Sequence, residues 1–209
     1  MMEYSTIIDI SVGLHEKTVV YPGTPAFLAE PTVSRATGSR LTKLTMSTHF
    51  GTHLDAPLHA DAHGKSITDL PLNHFIGTCR VVDGSQAAVN ISLSDAQQWE
   101  VQKRERILIK TSNSARGLDT FYPDFTYVSP AAANYLASRD IALIGIDYYS
   151  IKQKGSTDNT PHTAFLLKNI PIIEGINLKN VEAGEYILVA LPLKLHGVDG
   201  SPCRAILLK

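Results

Sequence analysis

The chain is expected to fold as a mixed, strand-rich α/β protein, and three observations predict it. Short apolar or alternating runs that read as strands outnumber the helical patterns. The two kinds of element follow one another without regular alternation, which opposes a doubly wound sheet. The 209 residues, 44% of them hydrophobic, are enough to bury one substantial core. A single domain over residues 1–209 is the simplest partition, because no linker, repeat or low-complexity segment is visible.

The elements follow in order. Ile7 to Val12 alternates weakly and reads as a first strand. Val19 to Phe27 holds Tyr21-Pro22-Gly23-Thr24-Pro25, a turn-rich loop. Leu41 to Thr48 carries β-branched residues and reads as a strand running straight into the next segment. Asp69 to Phe75 is a short turn or helix, and Thr78 to Val82 a strand. Ser92 to Gln102 reads as a helix, with Ser94 three residues before Gln97 as in a capping box. Arg106 to Lys110 is an apolar run bounded by charges, as in a buried strand. Ser129 can cap a helix that opens on Pro130 and runs to Arg139. Ile141 to Ile146 is a buried strand ending at Asp147. Pro161 to Lys168 is a helix that Thr160 can cap. Ile170 to Glu174, Gly184 to Leu191 and Pro202 to Leu208 complete the strands.

Composition excludes several partners. A net charge of −1 leaves no basic footprint for nucleic acid or an anionic membrane. The segment from Met1 to Glu16 lacks a basic stretch followed by an apolar run, and no window approaches a membrane-spanning length. A cytoplasmic location is expected. Cys79 and Cys203 read as two free core thiols in preference to a disulfide.

The densest chemistry lies in His49-Phe50-Gly51-Thr52-His53-Leu54-Asp55-Ala56-Pro57-Leu58-His59. On an extended strand alternate residues share a face, so His49, His53 and Asp55 would converge. His49 and His53 also have helical spacing, but Gly51, Thr52 and Pro57 oppose a continuous helix. Imidazole and carboxylate suit zinc, manganese or iron, and three ligands leave positions open for water and substrate. The competing reading is a polar loop with surface histidines. His15, His63 and His74 have no place in the pattern and are read as hydrogen-bonded or solvated. Farther on, His162 opens one expected helix and Glu174 ends one expected strand, and a hairpin could return both to one rim.

The segment HFGTHLDAPLH resembles the His-x-Gly-Thr-His-x-Asp-x-Pro-x-His signature of the metal-dependent cyclase family, which includes bacterial kynurenine formamidases and isatin hydrolases. Pro161-His162-Thr163 with Ile173-Glu174-Gly175, Ile144 to Ser150, and Ala190 to Leu193 with Gly197 to Ala205 resemble further family segments. The resemblance implies a swivelling β/β/α-type fold. It also implies one or two divalent metals per chain, zinc first and manganese second. His49, His53 and Asp55 resemble a first metal site. Asp55, His162 and Glu174 resemble a second, with Asp55 bridging, since a carboxylate offers two oxygens. His59 resembles the catalytic acid/base. A small aromatic amide substrate, N-formylkynurenine of tryptophan catabolism among the candidates, and a homodimer or larger assembly are implied as well.

The implied reaction is hydrolysis of a carbon–nitrogen bond by metal-activated hydroxide. Kynurenine formamidases carry Trp before Pro-Gly-Asp in the first loop, where this chain has Tyr21-Pro22-Gly23-Thr24. Tyr21 can still stack on a substrate ring, and it adds a hydroxyl. Phe27, Phe50, Phe121 and Tyr122 are candidates for an aromatic pocket, with core packing the plainer role. Asp147, Asp158 and Asp199 read as structural turn carboxylates, and Arg204 as a salt-bridge partner. Two rival functions are a metal-dependent polyketide-type cyclase or lyase and a non-catalytic metal-containing binding protein. Simple binding would not require His59.

Overall fold

The computed structural model describes residues 5–209. Residues 1–4, the start of the segment read for a leader, lie outside the described residues. The strands are β1 (Ile7–Asp9), β2 (Leu28–Val33), β3 (Arg40–Thr45), β4 (His53–Asp55), β5 (Ile76–Asp83), β6 (Asn90–Ile91), β7 (Arg106–Lys110), β8 (Tyr127–Val128), β9 (Leu143–Ile146), β10 (Ile172–Glu174), β11 (Gly184–Val189), β12 (Gly200–Pro202) and β13 (Ile206–Leu208). The helices are α1 (Leu93–Gln98), α2 (Ser112–Arg116), α3 (Pro130–Ser138) and α4 (Thr160–Leu166). Strand-rich mixed α/β architecture is therefore the observed class.

Nine strands form one sheet in the order β1-β13-β11-β5-β7-β9-β10-β4-β12. Its middle, β5-β7-β9-β10, is parallel, and both flanks are antiparallel. Helices α1, α3 and α4 alternate with these middle strands and all pack on one face, so the chain does alternate locally without being doubly wound. The flanks alone follow the non-alternating order expected of the whole. Successive side chains sort to opposite faces: Ile107, Ile109, Ile144, Ile146 and Ile172 meet the helices, while Leu108, Leu143 and Ile173 join the second core with Leu54, Leu188 and Leu207. β12 ends the strand order and β13 is second from its other end, yet only Cys203 to Ala205 separate them in the chain. The sheet therefore curls until its ends come together, as strongly twisted sheets of this width do.

Several expectations are corrected. Pro202 to Leu208 is two strands, because the chain crosses the seam of the curled sheet within it. Leu41 to Thr48 does not run into the His-rich segment: β3 pairs only with β2 in an exposed ribbon, and a loop intervenes. β2, β6, β8 and β12 were not anticipated. Ser92, not Ser94, caps α1, its hydroxyl accepting from Asp95 N while the Asp95 carboxylate accepts from Ser92 N at 2.8 Å. Ser129 caps α3 with Pro130 in the first turn, as expected. Thr160 does not cap α4 with its side chain; it starts the helix, and its N–H is taken by Asp158 Oδ1 at 2.8 Å.

Candidate metal centre

The two faces of the sheet explain why polar residues gather where they do. On β4, Leu54 enters the core opposite the helices, so His53 and Asp55 take the helix-facing side. The antiparallel ladder sets Glu174 of β10 directly opposite His53, and Gly200 of β12 opposite Asp55 on the other flank. α4 lies over this face and brings His162 down in its first turn. Pro57 then ends the extended run, and a 3-10 turn over Pro57–His59 presents His59.

His49 does not share a strand with His53 and Asp55. It lies on a turn, and Gly51 at φ +65° reverses the chain before β4 begins. The Gly-Thr-His order has a physical reason. Thr52 Oγ1 donates to Gly175 O at 2.6 Å and accepts from Val12 N at 2.9 Å. Gly175, at φ +69°, passes so close to Gly51 O that no side chain fits. The two glycines thus let the segment carrying His53 lock against the one carrying Glu174.

The ring of His53 is oriented by its own loop. Its Nδ1–H donates to Gly51 O at 3.0 Å, since a carbonyl can only accept. Nε2 is left facing Asp55 Oδ1 at 3.4 Å and Glu174 Oε2 at 3.5 Å. His162 Nε2 lies 3.5 Å from Glu174 Oε1 and 4.0 Å from Asp55 Oδ2. Glu174 Oε1 also accepts from Ile151 N at 2.7 Å. His49 bridges two carboxylates, with Nδ1 2.8 Å from Asp55 Oδ1 and Nε2 2.9 Å from Asp199 Oδ2. His59 stands at the rim, its Nδ1 3.5 Å from Asp199 Oδ2 and its ring 4.2 Å from that of His49.

These groups perturb one another. Burial opposes charge on His53, but hydrogen bonds and charge from Asp55 and Glu174 outweigh it and raise its pKa. Burial likewise pushes Asp55 and Glu174 upward, and the imidazoles around them win, holding both well below the usual carboxylate range. Asp199 follows the same rule: burial raises it, and the hydrogen bond and charge of His49 bring it below its ordinary value.

The donor set fits a divalent cation. His49, Asp55 and His59 form one group, and His53, Asp55 and Glu174 another, each with donor atoms within 4.8 Å of one another. Asp55 belongs to both. The partition differs from the expected one in that His53 faces Glu174, while His59 joins His49. Two buried atoms of the described residues, Asp55 Oδ2 and His162 Nδ1, have no hydrogen-bond partner. Each such atom costs about 1–3 kcal/mol unless something binds it; Asp55 Oδ2, inside the donor cluster, is a metal-donor atom, while His162 meets the cluster through its Nε2. Gly200 keeps the space open, because a Cβ there would stand 2.9 Å from His49 Cε1 and 2.7 Å from Leu54 O.

A cavity of about 250 Å³ opens onto this cluster, with Tyr21, Thr24, Tyr149 and Lys152 in its wall beside His59 and His162. Tyr21 packs edge-on against Phe121 at 5.5 Å, and burial, then the charge of Glu174, raises its pKa. Phe121 and Tyr122 belong to an aromatic cluster with Tyr148 behind the wall, and Phe27 stacks on Phe50. None of these four lines the cavity.

Asp199 is the residue that the sequence reading misplaced, as a turn carboxylate. It reaches the centre because β12 pairs with β4, a contact between segments about 150 positions apart that local pattern cannot display. The only local signal is Asp199 beside Gly200, which reads equally well as a turn. Asp147 and Asp158 are structural as read. Arg204 forms a surface salt bridge with Asp9, a salt-bridge partner as read. His74 Nδ1–H donates to Ala142 O, His63 is exposed, and Cys79 and Cys203 are free.

Comparison with known proteins agrees with this layout. The Cyclase family model, described as "Putative cyclase", matches residues 8–153. The kynurenine formamidase of Salinibacter ruber is 37% identical over 204 residues, covering 96% of each chain. A solved "potential metal-dependent hydrolase with cyclase activity" superposes with a TM-score of 0.87 at 32% identity, covering 97% of each chain. Isatin hydrolase A from Labrenzia aggregata shares the fold, with a TM-score of 0.81 at 24% identity over 97% of this chain and 93% of that one. With the family model spanning most of its length and a relative matching nearly all of it, this chain belongs to the cyclase family.

Proposed function

We propose that this chain is a metal-dependent hydrolase that cleaves the carbon–nitrogen bond of an aryl formamide or related cyclic amide, with N-formylkynurenine the first candidate. One observation carries the reading. Two overlapping sets of imidazole and carboxylate donors, sharing Asp55 with its unpartnered Oδ2, lie at the base of a cavity with an aromatic wall. The formamidase and metal-dependent hydrolase names of its relatives support it. The domain is taken as residues 1–209.

His49, His53, Asp55, His162 and Glu174 are the ligands of one or two divalent cations in this reading, with Asp55 shared. Nitrogen and oxygen donors in this mixture favour zinc, with manganese second. Such a cation supplies Lewis acidity, polarising a carbonyl and acidifying water toward neutral pH. The protein's own groups do the rest. His59 at the rim accepts a proton from the attacking water and delivers it to the leaving nitrogen. A carbon–oxygen bond forms, the carbon–nitrogen bond breaks, and for a formamide the products are formate and the arylamine. Asp199 holds His49 and stands beside His59, steadying both rings. Tyr21 offers its face or edge to the substrate ring.

The test is turnover of N-formylkynurenine by protein loaded with zinc or manganese, followed as release of the free amine, beside a panel of aryl formamides and cyclic amides. Hydrolysis of at least one is expected. A metal-loaded protein that leaves the whole panel intact overturns the reading.

A homodimer is part of this proposal. The β2–β3 ribbon stands apart from the main sheet, and Leu28, Val33, Leu41 and Leu44 are all exposed on it. A two-stranded ribbon is marginally stable alone in water, so a second copy covering it is the economical solution. Sedimentation that returned a monomer at micromolar concentration would remove this element. A cytoplasmic location is proposed on the two free thiols, which suit a reducing compartment; a native disulfide between them would contradict it. No helix of the described residues is long and apolar enough to cross a membrane.

A further inference from the structure

We propose that Lys152 forms an anion subsite in the cavity and selects aryl amides bearing a carboxylate. The proposal rests on the hydrolase reading above and names the kind of substrate that the same site prefers. Lys152 lines the cavity that holds His59, His162 and Glu174. It is half-buried, yet no carboxylate pairs with it among the described residues. Most Lys and Arg of the described residues likewise lack one, so what distinguishes Lys152 is its place in the cavity wall beside the donor cluster. The carboxylate that its charge reaches, Asp158, is committed elsewhere: the Thr160 N–H occupies it, and Lys152 contributes least to lowering its pKa. A ligand carboxylate reaching that wall would gain a charge-assisted contact with the Lys152 ammonium, which has no carboxylate within ion-pair distance among the described residues.

The base of this lysine is fixed by the hydrolytic centre itself. Ile151 N donates to Glu174 Oε1 at 2.7 Å, and Lys152 N donates to Ser150 Oγ at 3.2 Å. The backbone that presents Lys152 is thus pinned to a carboxylate of the candidate metal centre. Ser150 and Asn159 also line the cavity and add polar partners suited to a carboxylate. Lys154 lies over the Tyr21 ring, 5.2 Å from its centroid, and adds positive charge beside the aromatic wall.

Charge gives the arrangement its sense. Asp55, Glu174 and Asp199 are engaged by the imidazoles at one end of the site, where a bound cation would also draw on them. Lys152 attracts the anionic end elsewhere along the wall. The substrate is then held at three points: its amide at the imidazole–carboxylate cluster, its ring at Tyr21 and its carboxylate at Lys152.

The test compares N-formylkynurenine, whose side chain carries a carboxylate, with neutral N-formylaniline, in the wild type and in Lys152→Met and Lys152→Arg. The Met variant keeps the length of the apolar stem. In Lys152→Met the ratio of kcat/KM for the carboxylate-bearing over the carboxylate-free substrate should fall about 10- to 100-fold, the loss of one charge-assisted contact, and mainly through KM. Lys152→Arg should restore much of the ratio. An unchanged ratio, or a loss carried by kcat alone, overturns the subsite. Calorimetric titration of the metal-loaded proteins with kynurenine, the product that keeps the carboxylate within a zwitterionic amino-acid group, decides the matter independently of turnover. Binding weakened in Lys152→Met supports the subsite even where no formamide is hydrolysed, and unaltered binding overturns it.

Discussion

Asp147 and Asp55 are both wholly buried carboxylates at strand ends of one sheet, and they live in opposite circumstances. Asp147 follows β9 and is saturated. Its Oδ2 accepts from Thr111 N at 2.9 Å and Ser114 N at 3.1 Å, and its Oδ1 accepts from Thr111 Oγ1 at 2.6 Å. Asp55 ends β4 with Oδ1 crowded by two imidazoles and Oδ2 bound by nothing. Burial raises the pKa of Asp147; around Asp55 the same burial is outweighed by the histidines, and the carboxyl is held far down. A satisfied buried acid fastens two loops together. An unsatisfied one, kept ionised by its neighbours, is poised for a cation.

The comparison can be broken by giving both positions the same substitution. Asp55→Asn keeps the shape and removes the charge and one acceptor oxygen. It should strip bound metal and lower turnover by about 10³-fold or more, since the Lewis acid is worth several kcal/mol. Metal analysis and initial rates check this; a variant that retained its full metal content would end the distinction. At Asp147 the same change should be mild. An Asn oxygen can still take the Thr111 and Ser114 N–H groups while its amide donates to the Thr111 hydroxyl, so metal content and activity should persist. Asp147→Ala instead orphans three donors and should cost about 2–4 kcal/mol in denaturant unfolding, with metal binding still intact in the folded fraction. Thermal and urea melts returning wild-type stability for Asp147→Ala would show that the satisfied node does not fasten the fold.

The smallest effect sharpens the boundary between the two kinds. Asp199 is partly exposed and touches the centre only through His49 and His59. Asp199→Asn should weaken metal affinity or activity about 10- to 100-fold, the usual range for a group that orients ligands. Chelator competition and a kcat/KM measurement test it. An effect as large as that of Asp55→Asn would move Asp199 into the ligand set.

How far these features could be read in advance depended on how local their causes are. His53 and Asp55 were legible as paired donors because they lie two apart on one short strand, and Ser129-Pro130 because a cap acts on the next turn. The choice of Ser94 over Ser92 failed on a near-degenerate pattern: both serines precede plausible partners, and Asp95 decided it by reaching back to Ser92. The expected common strand for His49, His53 and Asp55 failed because period-two spacing cannot see that Gly51 turns the chain. β12 was invisible for a stronger reason. Gly-Ser-Pro has little strand propensity, and β4 alone gives it a place in the sheet. Asp199 was lost with it.

Gly200 gives that last point a practical edge. Alanine scanning maps function by subtraction, on the premise that a truncated side chain leaves a hole whose importance can be measured. At Gly200 the same replacement is an addition, a methyl group driven against a β4 carbonyl and the ring of His49. Such a survey would find sensitivity where no side chain acts, and could credit this glycine with chemistry it does not perform. What the position contributes is room, and in this molecule the room beside Asp55 belongs to the site as much as the donor atoms that border it.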